Sequence, residues 1–244
     1  MSSHSCNSLQ SFPRRLVVGT RNAHKLTELG EILAGVELVP LPEDVELPPE
    51  DAETFAGNAR GKALAAHRAT GMVAIADDSG IEARALGGRP GVRSARYAGG
   101  QASDEENLEL LLREVGAAGD DRRVAYICVI ALAGLDAAGT EDLPHAPVGA
   151  TTAEGAEAEI PVFEARCEGV LAERSRGTGG FGYDPAFIPQ ARIEEDLTMA
   201  ELSAAEKHAI SHRAAAARML VAHLEAVAKT SRRSGEREPS DARR

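Results

Sequence analysis

The chain contains few cysteines, few aromatic residues and no long apolar run. Its three cysteines, Cys6, Cys128 and Cys167, are scattered and form no CxxC pair, which argues against a disulfide framework and a structural zinc site. No apolar run approaches the roughly 20 residues that span a bilayer, and the polar N-terminus lacks the apolar core of a secretory signal. We therefore expect no membrane partner and a reducing, cytoplasmic location.

Basic residues are also scarce relative to acidic ones. The 27 Lys and Arg residues stand against 38 Asp and Glu residues and give a formal net charge of -11. A surface of that sign argues against a nucleic-acid polymer as a partner. A small anionic ligand stays possible where a local basic pocket or a metal ion receives it. The 244 residues are enough for a domain with a substantial core.

Three segments lack the apolar periodicity of packed structure. Residues 1–14 are predicted to form a flexible leader, 136–159 a long surface loop, and 230–244 a disordered, charged tail. The remaining chain, 15–229, is predicted to form one domain interrupted by that loop.

Strand-like and helix-like patterns alternate along this domain. Strands are expected over 16–18, 73–76, 126–132 and 162–170, and the last two are expected to pair. Helices are expected after Asn22, over 58–69, and after Ser103 and Ser203, which each open an S-x-x-E capping box. The alternation predicts an α/β fold with a mixed sheet.

The strand over 73–76 ends on two adjacent carboxylates, Asp77 and Asp78, which Ser79 and Gly80 follow. Neighbouring like charges repel unless a cation, a proton or a positive neighbour offsets them. The stretch is therefore either a turn in which one carboxylate caps the next segment, or a divalent-metal site at the end of a strand. Taken alone, it favours the turn.

The stretch GTRNAHK, at 19–25, joins the first strand to the first helix. A helix N-terminus offers free N–H groups to a phosphate, and Thr20, Asn22 and Lys25 add polar side chains. The usual nucleotide fingerprints are absent. The alternative is an ordinary capped helix with a solvent-exposed lysine.

In PPEDAETFAGNARGKA, at 48–63, Asn58 and Lys62 lie four residues apart and share a helix face. That face could meet a phosphate chain while Glu50 reaches a metal ion. The alternative is a solvated polar face of a surface helix.

Glycine is concentrated in GTGGFGYDP, at 177–185. Phe181 and Tyr183 are notable because only 3% of the chain is aromatic, and an aromatic ring on such a loop is a platform for a flat heterocycle. Asp184 could accept a hydrogen bond from that heterocycle. The alternative is a tight hairpin with packed aromatic rings.

The last polar cluster is EKHAISHR, at 206–213. His208 and His212 have zinc-like spacing, but no HExxH motif and no third ligand support a zinc site. On one straight helix Lys207 and His212 would lie about 140° apart. They can converge on one ligand only if a kink falls near Ile210 and Ser211.

In order, these stretches resemble the inosine/xanthosine triphosphate pyrophosphatase family over 16–224, apart from the surface loop. The motifs that carry the resemblance are TxNxxK (Thr20, Asn22, Lys25), the ETF-type segment (Glu50, Thr54, Phe55), NAxxKA (58–63), ADDSG (76–80), LGGxPG with SARYAG (86–99), GTGGFGYDP and EKxAISHR.

The resemblance implies an elongated α/β fold in which helices flank a mixed central sheet and the active-site cleft lies between two lobes. It also implies a homodimer that hydrolyses ITP, dITP and XTP to the monophosphate and pyrophosphate with Mg²⁺, which would cleanse the nucleotide pool of non-standard purines.

The resemblance assigns roles residue by residue. Asp78 is the implied catalytic proton acceptor, and Glu50 and Asp78 are the implied metal ligands, with Asp77 in support. The implied substrate-binding residues are Thr20, Arg21, Asn22, Ala23, His24, Lys25, Asn58, Lys62, Ser79, Phe181, Gly182, Tyr183, Asp184, Lys207, His212 and Arg213.

Two positions depart from the family pattern. Gly57 stands where the family usually has Glu, and Arg21 stands where Gly is more common and is expected to add positive charge near the phosphates.

Two other interpretations of the function compete with this one. A Maf-like nucleotide pyrophosphatase would begin with an SxSPRR-like loop, which TRNAHK does not match. A non-catalytic nucleotide sensor would be expected to lack the metal carboxylates, which are present.

Overall fold

The computed structural model describes residues 15–135 and 160–235. The predicted leader and surface loop lie outside these residues, as do residues 236–244 of the predicted tail. Within the described chain, no helix is both long and apolar enough to cross a membrane.

Six strands form one mixed sheet in the order β2-β1-β3-β4-β5-β6. They are β1 Arg15–Val18, β2 Glu37–Pro40, β3 Ala74–Ala83, β4 Arg123–Ala133, β5 Val162–Leu171 and β6 Phe187–Pro189. β1 runs parallel to β2 and β3, and the later strands pair antiparallel. The expected mixed sheet and the pairing of β4 with β5 are confirmed.

Three of the five described α-helices begin directly after capping residues that the sequence predicts. The five are α1 Ala23–Ile32, α2 Phe55–Thr70, α3 Asp104–Ala118, α4 Ala204–Ile210 and α5 His212–Gly235. The Asn22 side chain accepts a hydrogen bond from the Lys25 N–H, and Ser103 and Ser203 each form a complete capping box. α2 begins earlier than predicted because the Thr54 side chain caps it.

Helices cover both faces of the sheet. Alternate residues of β3 and β4 point to opposite faces, so Ala76 packs with α2 while Ile75 packs with α5. Along the α5 face the core divides in two, with Ile75 in one cluster and Ile81 in another that includes residues of α3. This division is in keeping with the predicted two lobes, and the polar residues Asp77 and Ser79 lie between the clusters.

The prediction that a strand ends at Asp77 and Asp78 is wrong. β3 continues to Ala83, and both aspartates pair in register with β4. Gly80 is required by a close approach rather than by a turn, because an added Cβ would lie 2.4 Å from Ser94 Oγ. The carboxylates therefore stand in the middle of a strand, so the turn interpretation is also wrong.

The predicted disordered tail begins too early. α5 remains helical to Gly235, so residues 230–235 continue the helix. No proline or glycine interrupts α5 before Gly235, and the Thr230 hydroxyl donates to the Ala226 carbonyl one turn earlier.

Candidate active site

A cavity of about 370 Å³ lies where the predicted motifs meet, a size typical of small-molecule sites. The predicted site residues that line it are Thr20, Arg21, Asn22, Lys25, Glu50, Lys62, Asp78, Ser79, Phe181, Gly182, Tyr183, Asp184, Lys207, His212 and Arg213. Four others do not line it, namely Ala23, His24, Asn58 and Asp77. Of these four, His24, Asn58 and Asp77 contact residues that do.

Asp78 projects toward the α2 side of β3, where Asn58 and Lys62 meet it. Asn58 Nδ2 donates to Asp78 Oδ2 over 2.9 Å, and Lys62 Nζ lies 3.6 Å from Asp78 Oδ1. Burial raises the pKa of Asp78 above its usual value, against the opposing effects of Lys62 and Asn58. The side chain is thus a carboxylate with a strengthened tendency to accept a proton.

Glu50 reaches the same ammonium group from the segment between β2 and α2. Lys62 Nζ donates to Glu50 Oε1, so it bridges the carboxylates of Glu50 and Asp78. Burial alone would raise the pKa of Glu50, but the ion pair with Lys62 outweighs it and holds that pKa below its usual value. A cation is therefore already accommodated between the two carboxylates.

This donor set fits Mg²⁺. Magnesium takes one or two protein carboxylates and completes its octahedron with phosphate oxygens and water, and Glu50 with Asp78 supplies two. Within 15–135 and 160–235 no cluster of three or more His, Cys, Asp or Glu residues could hold a metal. A further carboxylate at Gly57 would not fit without movement, because an added Cβ would lie 2.8 Å from Ala52 Cβ.

Asp77 has different surroundings from those expected beside a metal. Its carboxylate is fully buried on the opposite side of β3, 3.2 Å from Lys25 Nζ and 3.2 Å from Arg213 Nη2. Burial alone would raise the pKa of Asp77, but these cations, with Lys62, hold it far below the usual range. Protein cations therefore offset its charge, and its repulsion with Asp78 does not require a metal ion.

The helix is interrupted between α4 and α5, as the convergence of Lys207 and His212 requires. Ser211 is extended, with ψ 150°, and its hydroxyl accepts the Ala214 N–H at the start of α5. The break lets Lys207 and Arg213 both donate to Glu28 of α1. Sequence reasoning missed Glu28, because its place in α1 is ordinary and its partners come 179 and 185 residues later.

Asp184 organises the other end of the cavity. It accepts hydrogen bonds from the Phe181 N–H over 3.0 Å, from Lys207 Nζ over 2.7 Å and from the Tyr126 hydroxyl over 3.1 Å. His24 stacks on Phe181 with ring centroids 5.2 Å apart. The carboxylate therefore fixes the aromatic loop, although the sequence suggested contact with a ligand.

His212 stacks on Tyr126 with ring centroids 4.5 Å apart. Burial, followed by the charges of Arg213 and Lys207, lowers the pKa of His212 well below its usual value, so the ring is neutral. Its Nδ1 has no hydrogen-bond partner in the described chain. Sequence reasoning placed Tyr126 only in an apolar strand, and the scarcity of aromatic residues was the one available signal of a role at the site.

The cavity thus joins two chemically distinct ends. One carries two carboxylates, Lys62 and the N-terminus of α1, and suits a metal-bound anion. The other carries an aromatic loop beside Lys207 and Arg213, whose charged groups lie 5.2 and 5.7 Å from the Phe181 ring centroid. Such an end suits a flat ring with polar edges.

Known proteins resemble the chain over nearly its whole domain. The family model described as the Ham1 family matches residues 16–223. A dITP/XTP pyrophosphatase of Cutibacterium acnes is 42% identical over 86% of this chain and 98% of its own length, and one of Corynebacterium glutamicum is 44% identical over 89% and 100%. The structure of a HAM1 protein from Coxiella burnetii, 36% identical, aligns with a TM-score of 0.70 over 86% of this chain and 98% of that one.

Proposed function

Because the chain belongs to the Ham1 family, we propose that it hydrolyses the non-standard purine nucleoside triphosphates ITP, dITP and XTP to the monophosphate and pyrophosphate, and so cleanses the nucleotide pool. The observation that carries the proposal is the single cavity with a carboxylate–lysine end and an aromatic–cation end. Its relatives are named dITP/XTP pyrophosphatases.

The triphosphate binds at the carboxylate end. Free N–H groups at the start of α1 attract phosphate oxygens, and Thr20, Asn22 and Lys25 line the cavity there. Lys62 supplies a further positive charge, since its pKa is raised: burial opposes the charged form, but Asp78, Asp77 and Glu50 together outweigh it. When substrate is bound, the phosphate oxygens supply part of the negative charge that Asp78, Asp77 and Glu50 supply to Lys62 in its absence.

Glu50 and Asp78 would hold Mg²⁺ in this proposal. When bound, the ion neutralises phosphate charge and makes a nearby water more acidic. Asp78 accepts the proton of the attacking water. Asn58 donates to Asp78 Oδ2, and this hydrogen bond orients the carboxylate that acts as the catalytic base.

The purine ring of the substrate binds at the aromatic end, against Phe181. Hypoxanthine and xanthine present a 6-carbonyl where adenine presents an amino group, so a donor such as Arg213 or a backbone N–H would favour them. A mismatched hydrogen bond of this kind discriminates strongly. Glu28 and Asp184 hold the two cations of this pocket, Lys207 and Arg213, in place. Guanine also has a 6-carbonyl, so its rejection must depend on its 2-amino group.

The first test is pyrophosphate release from ITP, XTP, GTP and ATP, each with Mg²⁺ and with EDTA. We expect fast release from ITP and XTP that EDTA abolishes, and rates about a hundredfold or more lower for ATP and GTP. Equal hydrolysis of all four would leave the metal end standing and contradict the base pocket. Binding of ITP without release would favour the nucleotide sensor.

A second test concerns the glycine loop. Gly180 has φ +72°, and an added Cβ would lie 2.0 Å from Asp184 Oδ2. Gly180→Ala should displace the carboxylate that holds Phe181 and Lys207, and should raise KM for ITP about tenfold or more. Gly116→Ala is the matched control, because an added Cβ there meets nothing within 4 Å. An unchanged KM in Gly180→Ala would remove the loop from substrate binding.

We also propose that the protein is a homodimer, which is what the family resemblance implies. Sedimentation equilibrium at micromolar concentration tests this directly, and a mass of one chain would contradict it.

A further inference from the structure

One wall of the cavity has no regular secondary structure. Residues 41–50, here called the strap, run from the end of β2 toward α2 and include no helix or strand. The strap nevertheless contributes Leu47, Pro48 and Glu50 to the cavity lining. Something other than a backbone ladder must therefore satisfy its carbonyl groups and fix its path.

A single guanidinium group meets four of those carbonyls. Arg21 Nη1 donates to the Leu41 carbonyl over 2.8 Å, and Nη2 lies 2.6 Å from the carbonyls of Pro42 and Val45 and 3.3 Å from that of Glu43. Both terminal nitrogens of Arg21 are thus engaged with the strap.

The far end of the strap is tied separately. The Arg96 guanidinium donates to the Glu50 carbonyl, and the Ala52 N–H, just beyond the strap, donates to Asn58 Oδ1 over 3.0 Å. Leu41 is buried, and Val45 and Leu47 pack against the same small apolar cluster. These contacts hold the strap near the domain, while Arg21 bonds directly to the turn at 42–45.

We infer that Arg21 is a positioning residue that clamps the strap, and that it is not a phosphate ligand. A rigid fork with five N–H donors suits several converging carbonyls, and glycine at this position could make none of these bonds. The clamp sets the wall that Leu47 and Pro48 present and the approach of Glu50 to Lys62. Its effect on turnover rests on the proposed function, whereas its effect on the strap does not.

The test begins without nucleotide, using Glu-C proteolysis of the full chain followed by mass spectrometry. Cleavage after Glu43, Glu46 and Glu50 reports opening of the strap. We expect Arg21→Gln to be cut there about tenfold faster than wild type, because opening costs less free energy. Arg21→Lys should behave similarly, since one ammonium cannot reach four carbonyls. Arg15→Gln is the control, because the exposed Arg15 side chain pairs with the exposed Glu37, away from the strap.

The second arm measures KM and kcat for ITP in the same variants. The clamp predicts that Arg21→Lys and Arg21→Gln raise KM alike, by about tenfold. Wild-type cleavage rates in both variants, or a KM that Arg21→Lys restores while Arg21→Gln does not, would overturn the clamp and favour a phosphate contact. If the wild type fails to hydrolyse ITP, the proposed function fails but the proteolysis arm still decides the inference.

Discussion

Asp78→Asn is expected to lower kcat for ITP by about a thousandfold while the protein stays folded. The amide keeps the shape of the carboxylate but cannot take the proton of the attacking water, and it weakens the donor set for Mg²⁺. Asn58 Nδ2 donates to Asp78 Oδ2, so the amide can rotate its oxygen toward Asn58 and keep that contact. The loss should therefore fall on turnover rather than on folding.

The measurement is steady-state pyrophosphate release together with a thermal melt of each variant. Asp196→Asn is the matched control, because Asp196 is exposed and has φ 53°, a conformation that Asn tolerates well. Retention of wild-type kcat in Asp78→Asn would remove Asp78 as both base and metal ligand. A collapse of the melt in Asp78→Asn would instead assign it a structural role.

Asp77→Asn should have the largest effect on stability, lowering the free energy of unfolding by about 3–5 kcal/mol. Asp77 is fully buried and offsets the charges of Lys25 and Arg213. Without that carboxylate, Arg213 remains buried with Glu28 as its one ionic partner among the described residues. Urea unfolding measures the loss, and Asp121→Asn, which weakens ion pairs with the exposed side chains of Arg84 and Arg123, should change little.

Comparing wild type with Asp77→Asn also predicts how the stability contributed by Asp77 depends on pH. Lys25 and Arg213 hold the folded-state pKa of Asp77 far below its unfolded value, although burial opposes them. The stabilisation is therefore fully present above the unfolded pKa of about 4 and is lost as pH falls toward the folded pKa. The difference in unfolding free energy between wild type and Asp77→Asn should be constant from pH 7 to 5 and shrink below pH 4. A constant difference at pH 3 would contradict the assignment.

The sequence by itself determined the local features of this protein. Asn22, Ser103 and Ser203 mark helix starts because a cap depends on residues within one turn. The angle between Lys207 and His212 showed that a kink was needed, since helical phase is also local. The motif residues were found for the same reason, and most of them line one cavity.

Only the tertiary structure decided what surrounds each charge. That Asp77 and Asp78 stand in mid-strand and face different partners depends on β4 lying beside β3. That Glu28 holds Lys207 and Arg213, and that Arg21 turns to the strap, depends on contacts across up to 185 residues. The energy of a buried charge is set by its neighbours in space, and those neighbours are fixed by sheet order and helix packing, which local sequence does not encode.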